Sequence, residues 1–290
     1  MKEYEVIKNY RRDDALRASF IALAGKTFGI DFEDWYQNGY WTDAYNPHSI
    51  VIDGKIAANV SVNHTDFVWR GERFRLIQLG TVMTGEEYRN RGLIRRIMET
   101  IEEDYADKAD GIYLFANDSV LDFYPKFGFR EAREYQYDKT LHNRKERTME
   151  QVPMERKEDW DKVERAVKES VCNGAFDLAG NSSLIMFYLT KYMRENVYYE
   201  KNLGVYAVAE MEGKSLLLHQ VFSRREADLA EVTAAFGKEI ERVSLGFTPK
   251  KPEEFESSLL KEEDTTLFVK GNAFEDFGRE RMRFPVLARA

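Results

Sequence analysis

The alternation of apolar and polar residues near the start of the chain predicts antiparallel strands. Residues 48–53 form a short apolar run that ends at Asp53-Gly54, a dipeptide typical of hairpin turns. From residue 56 the alternation predicts a strand with one buried face. The apolar face carries Ile56, Ala58, Val60 and Val62, and the polar face carries Asn59, Ser61 and Asn63. A turn at Arg70-Gly71 and a third strand over residues 72–84 are expected to follow.

Apolar residues then recur at helical spacing between Tyr88 and Tyr105, which predicts an amphipathic helix. The apolar run at 111–116 predicts a buried strand, and the order strand, helix, strand implies a right-handed parallel crossover. A second helical piece is expected near residues 120–126, with a strand over 133–140. Residues 1–39, ahead of the first hairpin, mix helical periods with aromatic residues.

The second half of the sequence repeats part of this order. A hairpin is expected over residues 205–222, turning at Glu212-Gly213-Lys214. Further elements are a helix over 181–193, a helix between 229 and 240, and strands at 243–247, 266–270 and 282–288. A hairpin, helix and strand that occur twice indicate a degenerate duplication, in which the first hairpin, residues 50–62, corresponds to residues 205–222.

A densely charged segment, residues 141–158, indicates the junction between two domains. The alternative is a solvated helix end inside a single domain. We therefore predict an α/β (α+β) fold with domains at 1–145 and 146–290. Each domain is expected to be a mixed, mostly antiparallel sheet flanked by helices.

Composition narrows the possible functions. The net charge of −8 over 290 residues argues against nucleic-acid binding and is compatible with a cationic substrate. Cys172 is the single cysteine, so no intramolecular disulfide can form and a cytoplasmic protein is expected. No apolar run reaches the roughly 18 residues that a membrane helix needs. The four histidines share no metal-ligand spacing, and no metal is predicted.

The clearest chemical signal lies at the predicted helix start, Arg89-Asn90-Arg91-Gly92, directly after a strand. Such a start exposes unpaired backbone N–H groups and the positive end of the helix dipole, which favours a pyrophosphate. Gly92 would let phosphates approach the backbone, and the arginines would add positive charge. The alternative is an ordinary helix start with surface arginines.

The pattern Arg89-x-x-Gly92-x-Ile94 resembles the pyrophosphate signature of GNAT acetyltransferases, Gln/Arg-x-x-Gly-x-Gly/Ala, except that Ile94 replaces a small residue. The segment YRNRGLIRRIM resembles the enhanced intracellular survival (Eis) family, and the resemblance covers residues 1–140. It implies acetyl-CoA as cosubstrate. It further implies a pantetheine arm on Val82, Met83 and Thr84, and a pyrophosphate on Arg89, Asn90, Arg91, Gly92, Leu93, Ile94 and Arg95.

A second motif, NDSVLDFYPKFGF at residues 117–129, resembles the GNAT element Asn-x(n)-Phe/Leu-Tyr-x-x-x-Gly-Phe. When an amine attacks a thioester, a thiolate departs, and a nearby phenol can protonate it. The resemblance gives Tyr124 this general-acid role and places Asn117 near the cofactor arm. The alternative is that Tyr124 is a core aromatic, one of 16 tyrosines.

The second half lacks both motifs, since its helix start, SRREADLAEV, has no glycine. We expect a GNAT-like domain that has lost the cofactor site, as in the Eis family, and we expect no counterpart of that family's third, sterol-carrier-like domain. The resemblance also suggests the carboxylate of Ala290 as the base, the alternative being a purely structural terminal strand. An aromatic cluster could stack on a substrate or only pack: Trp35, Tyr36, Tyr40, Trp41 and Tyr45.

The expected reaction is direct transfer of acetyl to a primary amine on a small cationic acceptor of aminoglycoside or polyamine type. The alternatives are a protein-lysine acetyltransferase and a catalytically silent acetyl-CoA-binding sensor. We expect no nucleic-acid or membrane partner, and the family resemblance suggests self-association.

Overall fold

The structure is a computed structural model that describes residues 4–142 and 144–289, and within them sixteen strands form two sheets. The strands are β1 (Val6–Ile7), β2 (Tyr45–Ile52), β3 (Lys55–Trp69), β4 (Glu72–Thr84), β5 (Gly111–Ala116), β6 (Arg130–Glu131), β7 (Tyr135–Thr140), β8 (Glu150–Gln151), β9 (Gly174–Ala179), β10 (Val197–Glu200), β11 (Val205–Glu212), β12 (Ser215–Phe222), β13 (Arg242–Leu245), β14 (Thr248–Pro249), β15 (Glu256–Leu259) and β16 (Thr266–Lys270). The α-helices are α1 (Asp14–Phe28), α2 (Glu33–Gln37), α3 (Leu93–Tyr105), α4 (Lys157–Glu169), α5 (Ser182–Phe187) and α6 (Leu229–Ala234).

The first sheet has the order β1-β2-β3-β4-β5-β16-β6, with β9 beside β3 and β14 beside β9. Its pairs are antiparallel except β4 and β5, which are parallel as predicted. Both hairpin turns occur where the sequence predicts them, at Asp53-Gly54 and Arg70-Gly71. All four of these turn residues have positive φ, a backbone conformation that glycine adopts without strain.

The second sheet has the order β15-β7-β13-β12-β11-β10-β8, and its one parallel pair is β12 with β13. The connection β11–β12–α6–β13 therefore repeats β3–β4–α3–β5. A mixed α/β fold with two mostly antiparallel sheets is confirmed. The hairpin that corresponds to β11–β12 is β3–β4, and not the preceding hairpin, residues 50–62, that the sequence comparison suggested.

The two halves exchange strands between their sheets. β7, from the first half, pairs with β13, and β16, from the second half, pairs with β5. Each exchanged strand lies beside the second strand of a parallel pair. The division at residue 145 stays a prediction, and the two sheets do not separate along it, because strands of each half complete the sheet of the other.

Several predicted elements differ from the structure. Residues 120–126 form no α-helix; they contribute to 3₁₀ turns at Asp118–Val120 and Tyr124–Phe127. The amphipathic helix begins at Leu93 and not at Tyr88 or Arg89. β3 is buried on both faces, because its polar side chains form hydrogen bonds inside the protein.

Residues 282–288 are buried but do not form the predicted strand. The backbone amide of Arg283 donates to Thr248 Oγ1 at 2.8 Å, and the amide of Phe284 donates to Glu134 Oε1 at 2.9 Å. Pro285 has no amide to donate. Side chains therefore take the hydrogen bonds that a neighbouring strand would accept, and the segment ends in a 3₁₀ turn at Val286–Ala288.

Aromatic packing joins the two halves. The rings of Phe67 and Phe176 stack with centroids 4.4 Å apart, and those of Tyr113 and Phe284 stack at 4.3 Å. Each pair joins the first half to the second, so the core is continuous between them. Among the described residues, no helix combines the length and apolarity that crossing a bilayer requires.

Candidate active site

A cavity of about 370 Å³ lies where β4 and β5 separate. The two strands pair only from Leu76 to Gln78 on β4 and from Gly111 to Tyr113 on β5. Beyond this ladder β4 continues along β3, while β5 continues along β16 to Ala116. The cavity is lined by both separated segments, and its β4 wall consists of Leu79, Gly80, Thr81 and Val82.

A β-bulge shapes the β4 wall of this cavity. Ser61 pairs with Gly80 and Asn59 pairs with Met83, so that two residues of β4 lie opposite one residue of β3. One of the two is Thr81, whose φ is +47°, an uncommon value for a β-branched residue. The bulge turns the backbone of β4 at the level of the cavity.

Buried polar side chains hold the bulge in place. Asn59 Nδ2 donates to the carbonyl oxygen of Thr81 at 2.8 Å and to Ser61 Oγ at 2.9 Å. Ser49 Oγ donates to Asn59 Oδ1 at 2.8 Å, and the Tyr45 hydroxyl hydrogen-bonds to Thr81 Oγ1. The alternation of residues predicts a solvent-facing side for Asn59 and Ser61 and gives no sign of this role.

The start of α3 is open, as an anion site requires. Gly92 is the N-cap residue with φ of +76°, and no side chain caps the helix. Asn90 also has positive φ, and a Cβ placed on Gly92 would meet no atom within 4 Å. Arg89, Asn90 and Arg91 are exposed, and Arg91 donates to the carbonyl oxygen of Glu87 at 2.7 Å. The first amides of α3 therefore face space that a phosphate group could enter.

The apolar residues and the threonine that the resemblance assigns to the cofactor, for its arm or its pyrophosphate, divide into two groups. Val82 and Ile94 line the cavity. Met83 and Leu93 are buried in the core with 2% exposure each, and Thr84 pairs with Ala58 in the β-ladder. Met83 and Leu93 can therefore offer a ligand their backbone groups but not their side chains.

Arg95 lies on the first turn of α3, and its guanidinium carbon is 5.3 Å from the centroid of the Phe127 ring. Arg89, Arg91 and Arg95 thus place three positive charges at or beside the open helix start. This arrangement suits a pyrophosphate, which carries negative charge and accepts hydrogen bonds.

Tyr124 lines the cavity from a 3₁₀ turn and is 5% exposed. Its ring packs on Phe129 and Phe268, with centroids 6.2 and 5.8 Å apart. In the described part of the chain no group hydrogen-bonds to its hydroxyl. Burial raises the pKa of Tyr124 to about 12, so its phenol is protonated near neutral pH and can donate a proton.

Asn117 follows β5 and lines the cavity. Its Nδ2 donates to Asp264 Oδ2 at 2.8 Å, and the amide of Asp118 donates to Asp264 Oδ1 at 2.7 Å. Asp264 fixes the side-chain amide of Asn117 and leaves the amide oxygen available to a ligand. Sequence analysis missed Asp264, which lies in a charged loop of the second half with no local signal.

The aromatic cluster serves mainly as packing. Trp35, Tyr40, Trp41 and Tyr45 are buried, with ring centroids of Trp35 and Trp41 5.7 Å apart. Tyr36 lies under the guanidinium of Arg17 at 3.8 Å. Trp35 and Tyr45 nevertheless line the cavity.

The second half contributes to this cavity through α5. Leu184 and Phe187 line the cavity, and the indole N–H of Trp35 donates to the carbonyl oxygen of Ser183 at 2.9 Å. α6 starts differently from α3, because the carboxylate of Asp228 caps it by accepting from the amide of Ala230 at 2.8 Å. At the start of α6 the carboxylate of Asp228 therefore occupies the position that is open to an anion at the start of α3.

Ala290, the candidate base, lies outside the described residues. The chain up to Arg289 runs beside the cavity wall. Tyr113 Oη donates to the carbonyl oxygen of Ala288 at 2.9 Å, and the Arg289 guanidinium carbon is 4.5 Å from the ring centroid of Phe115, a cavity residue. Within residues 4–142 and 144–289, no group of three or more His, Cys, Asp or Glu side chains could hold a metal ion.

Comparison with known proteins agrees with this geometry. Residues 9–132 match the acetyltransferase (GNAT) domain family. A probable N-acyltransferase from Enterococcus faecalis is 15% identical with a TM-score of 0.63, over 93% of this chain and 72% of that one. A GCN5-related N-acetyltransferase from Kribbella flavida is 16% identical, with a TM-score of 0.56 over 92% and 71% of the two chains.

Eis1 from Mycobacterium abscessus is 11% identical, with a TM-score of 0.56 over 91% of this chain and 73% of that one. The search of curated proteins gives no match. At these identities the structural likeness shows a shared fold that extends over both halves of the chain.

Proposed function

The chain carries a GNAT acetyltransferase domain over residues 9–132 and is an acyltransferase, and we propose that it moves the acetyl group of acetyl-CoA to a primary amine of a small molecule. One observation carries this proposal. The separated β4 and β5 strands, the open start of α3 and the protonated Tyr124 all border or adjoin a single cavity.

The residues around the cavity fit acetyl-CoA as cosubstrate. The uncapped amides at Gly92 and the neighbouring arginines suit the pyrophosphate. Beyond Gln78 the β4 edge toward β5 has no strand partner among the described residues, so backbone groups on this edge can hydrogen-bond to the amides of the pantetheine arm. Asn117, fixed by Asp264, adds a side-chain amide oxygen next to this edge.

The chemistry requires one bond to form and one to break. A neutral amine attacks the thioester carbonyl, the C–N bond forms, and the C–S bond breaks with its electron pair left on sulfur. In this proposal Tyr124 donates its proton to that sulfur, the attacking nitrogen releases its extra proton to a base or to solvent, and the phenolate of Tyr124 then regains a proton from solvent. General acid help of this kind is worth roughly 10²–10⁴ in rate.

The reaction also needs an acceptor amine and a base. The likeness to Eis proteins suggests an aminoglycoside or polyamine, and it suggests the carboxylate of Ala290 as base. Both stay predictions. An α-carboxylate has a reference pKa of about 3.5, too low for an efficient base near neutral pH unless burial raises it.

A thiol-release assay with acetyl-CoA and a panel of amines tests the proposal. The panel contains aminoglycosides, polyamines, monoamines and lysine peptides, with a reaction lacking acceptor as control. We expect free coenzyme A to appear only with an acceptor, and much more slowly in Tyr124→Phe. If calorimetry shows that acetyl-CoA binds but no amine causes release of coenzyme A, the result would contradict an enzymatic function. It would favour a catalytically silent acetyl-CoA sensor.

A further inference from the structure

The lining of the cavity carries no full charge. Eighteen of the described residues line it, and none of them is Asp, Glu, Lys, Arg or His. Its titratable side chains are Tyr45 and Tyr124, and burial raises the pKa of each to about 12, so both are neutral at pH 7. A ligand in this cavity therefore meets no carboxylate among the described residues to balance a positive charge.

Besides its β4 wall, the cavity has two walls of different origin. One wall is formed by Phe115 of β5 and by Phe123 and Tyr124, which come after β5 in the chain. Ile94 of α3 lies beside them. The other comes from the stretch that runs from the last residue of α1 to the first residue of β2, and from α5 of the second half. It consists of Phe28, Ile30, Phe32, Trp35, Tyr45, Leu184 and Phe187. The first wall adjoins the open start of α3, so the second wall is the one left for the acceptor.

Exposed apolar side chains collect in and next to the cavity. Phe28 is 42% exposed and lines the cavity, as does Val120 at 37%. Tyr192 is 49% exposed and lies 5.4 Å, between ring centroids, from Phe187. Among the described residues, these are three of the five exposed large apolar side chains. Apolar surface gathered at a cavity marks a ligand site for an apolar group.

We propose that the acceptor is a small primary monoamine with an aromatic or aliphatic body, which packs against the wall formed by Phe28, Phe32 and Phe187. This inference rests on the proposed function and narrows its substrate. It replaces the polycation that the family resemblance suggests. Every additional ammonium group of an aminoglycoside or polyamine would lose water in this cavity without gaining a charged partner, which costs free energy.

The same lining assists the attack. An uncharged wall disfavours the ammonium form and so lowers the pKa of an amine held against it. A monoamine therefore reaches the thioester in its neutral, nucleophilic form more readily than in water. This effect reduces the need for a strong base in the cavity.

Steady-state kinetics with a matched amine panel test the inference. Phenethylamine, tryptamine and hexylamine are compared with spermidine and kanamycin at fixed, saturating acetyl-CoA. We expect kcat/KM for the monoamines to exceed that for the polycations at least about tenfold. Faster turnover of spermidine or kanamycin would overturn the inference and leave acetyl transfer itself established.

Two variants locate the amine on the second wall. Phe28→Ser changes a half-exposed ring, so the protein should fold normally, and Phe187→Ala removes a ring deeper in the wall. Each should raise the KM for phenethylamine at least about fivefold with an unchanged KM for acetyl-CoA. Leu259→Ala, on β15 of the second sheet and 45% exposed, is the control and should change neither.

Two further outcomes overturn the inference in distinguishable ways. If hexanoyl-CoA is preferred over acetyl-CoA and the Phe28 and Phe187 variants alter that preference, the wall binds the acyl chain and not the amine. If no amine in the panel causes release of coenzyme A although calorimetry shows that acetyl-CoA binds, the proposed function fails and the inference fails with it.

Discussion

Asn59 Nδ2 donates a hydrogen bond to the carbonyl oxygen of Thr81 at 2.8 Å, from a side chain with no solvent exposure. Thr81 has φ of +47°, a conformation that costs a β-branched residue about 1–3 kcal/mol. The hydrogen bond stabilises this strained residue, which shapes the cavity wall where β4 leaves β5. Asn59 therefore positions the backbone proposed to bind the cofactor arm.

Replacing Asn59 by leucine should weaken both stability and cofactor use. The carbonyl of Thr81 would lose its buried partner, and we expect the free energy of unfolding to fall by about 1–3 kcal/mol. The bulge should also relax, which raises the KM for acetyl-CoA at least about fivefold. Urea denaturation and steady-state kinetics measure the two effects.

Asn63→Leu is the matched control for this experiment. Asn63 lies on the same face of β3, is 1% exposed, and hydrogen-bonds to Gln78 and Asn181. Its loss should lower stability by a similar amount while the KM for acetyl-CoA changes less than about twofold. Equal changes of KM in both variants would show that the bulge has no specific role.

Gly92 should tolerate a methyl group but not a negative charge. Gly92→Ala and Gly92→Glu carry the same backbone strain at φ of +76°, and a Cβ there meets no neighbour within 4 Å. Only the glutamate brings negative charge to the proposed pyrophosphate site. We expect calorimetry to show acetyl-CoA affinity at least about tenfold lower in Gly92→Glu than in Gly92→Ala, or roughly 1.4 kcal/mol.

Gly71→Glu controls for strain and charge together. Gly71 has φ of +79° with nothing within 4 Å of a Cβ, and it precedes β4 at the end opposite the cavity. This variant should bind acetyl-CoA like the unmodified protein. A loss of affinity equal to that of Gly92→Glu would remove the pyrophosphate assignment.

Tyr124→Phe should slow turnover without unfolding the protein. A coenzyme A thiol has a pKa near that of cysteine, about 8.5, so its thiolate leaves fairly well unaided. We therefore expect kcat to fall at the low end of general-acid effects, on the order of tenfold to a hundredfold. The hydroxyl has no hydrogen-bond partner among the described residues, so stability should change by less than about 0.5 kcal/mol.

Tyr105→Phe serves as the comparison for Tyr124. Tyr105 ends α3 outside the cavity, and its hydroxyl lies 3.4 Å from His64 Nε2. Its kcat should stay within about twofold of the unmodified enzyme. Unchanged turnover in Tyr124→Phe as well would return Tyr124 to the role of a core aromatic.

The raised pKa of Tyr124 predicts the alkaline side of the pH profile. Because burial raises that pKa to about 12, the phenol stays protonated well beyond pH 10, where an ordinary tyrosine would be half ionised. With a saturating acceptor, kcat should not decline between pH 8 and 10. A decline with a midpoint near 10 that is absent from Tyr124→Phe would mean that the phenol titrates normally.

The elements that the sequence predicts correctly are those determined by residues close together in the chain. The turns at Asp53-Gly54 and Arg70-Gly71 and the parallel pair β4 and β5 occur as expected, and the periodic helix α3 occurs with a later start, at Leu93. Gly92 stands at a position of positive φ, so the motif glycine meets a backbone requirement. These features require only short-range information.

Long-range partners could not be read from the same patterns. The sequence predicts strands at the positions of β7 and β16, but it does not indicate that each strand completes the sheet of the opposite half. Asn59 looks like a solvent-facing residue because its partners, Ser49 and Thr81, lie on neighbouring strands. Asp264 is nearly 150 residues from Asn117, and nothing in its loop indicates the contact.

A buried ion pair lies near the end of the described chain. Arg289 Nη2 lies 3.3 Å from Glu134 Oε2, and both side chains are largely buried, with Glu262 as a second partner of Arg289. Despite these arginine contacts, burial raises the pKa of Glu134. Removing one member of such a pair leaves an uncompensated buried charge, which costs about 3–5 kcal/mol.

Arg289→Met should therefore destabilise the protein in a pH-dependent way. Without the guanidinium, the folded-state pKa of Glu134 rises further above its unfolded value of about 4.3. The folded variant then binds more protons than the unfolded chain, so its stability falls as pH rises through this range. Urea denaturation should show a smaller loss relative to the unmodified protein at pH 5 than at pH 8. Glu134→Gln added to Arg289→Met should remove most of that pH dependence, and an equal loss at both pH values in Arg289→Met alone would mean that Glu134 does not carry the uncompensated charge.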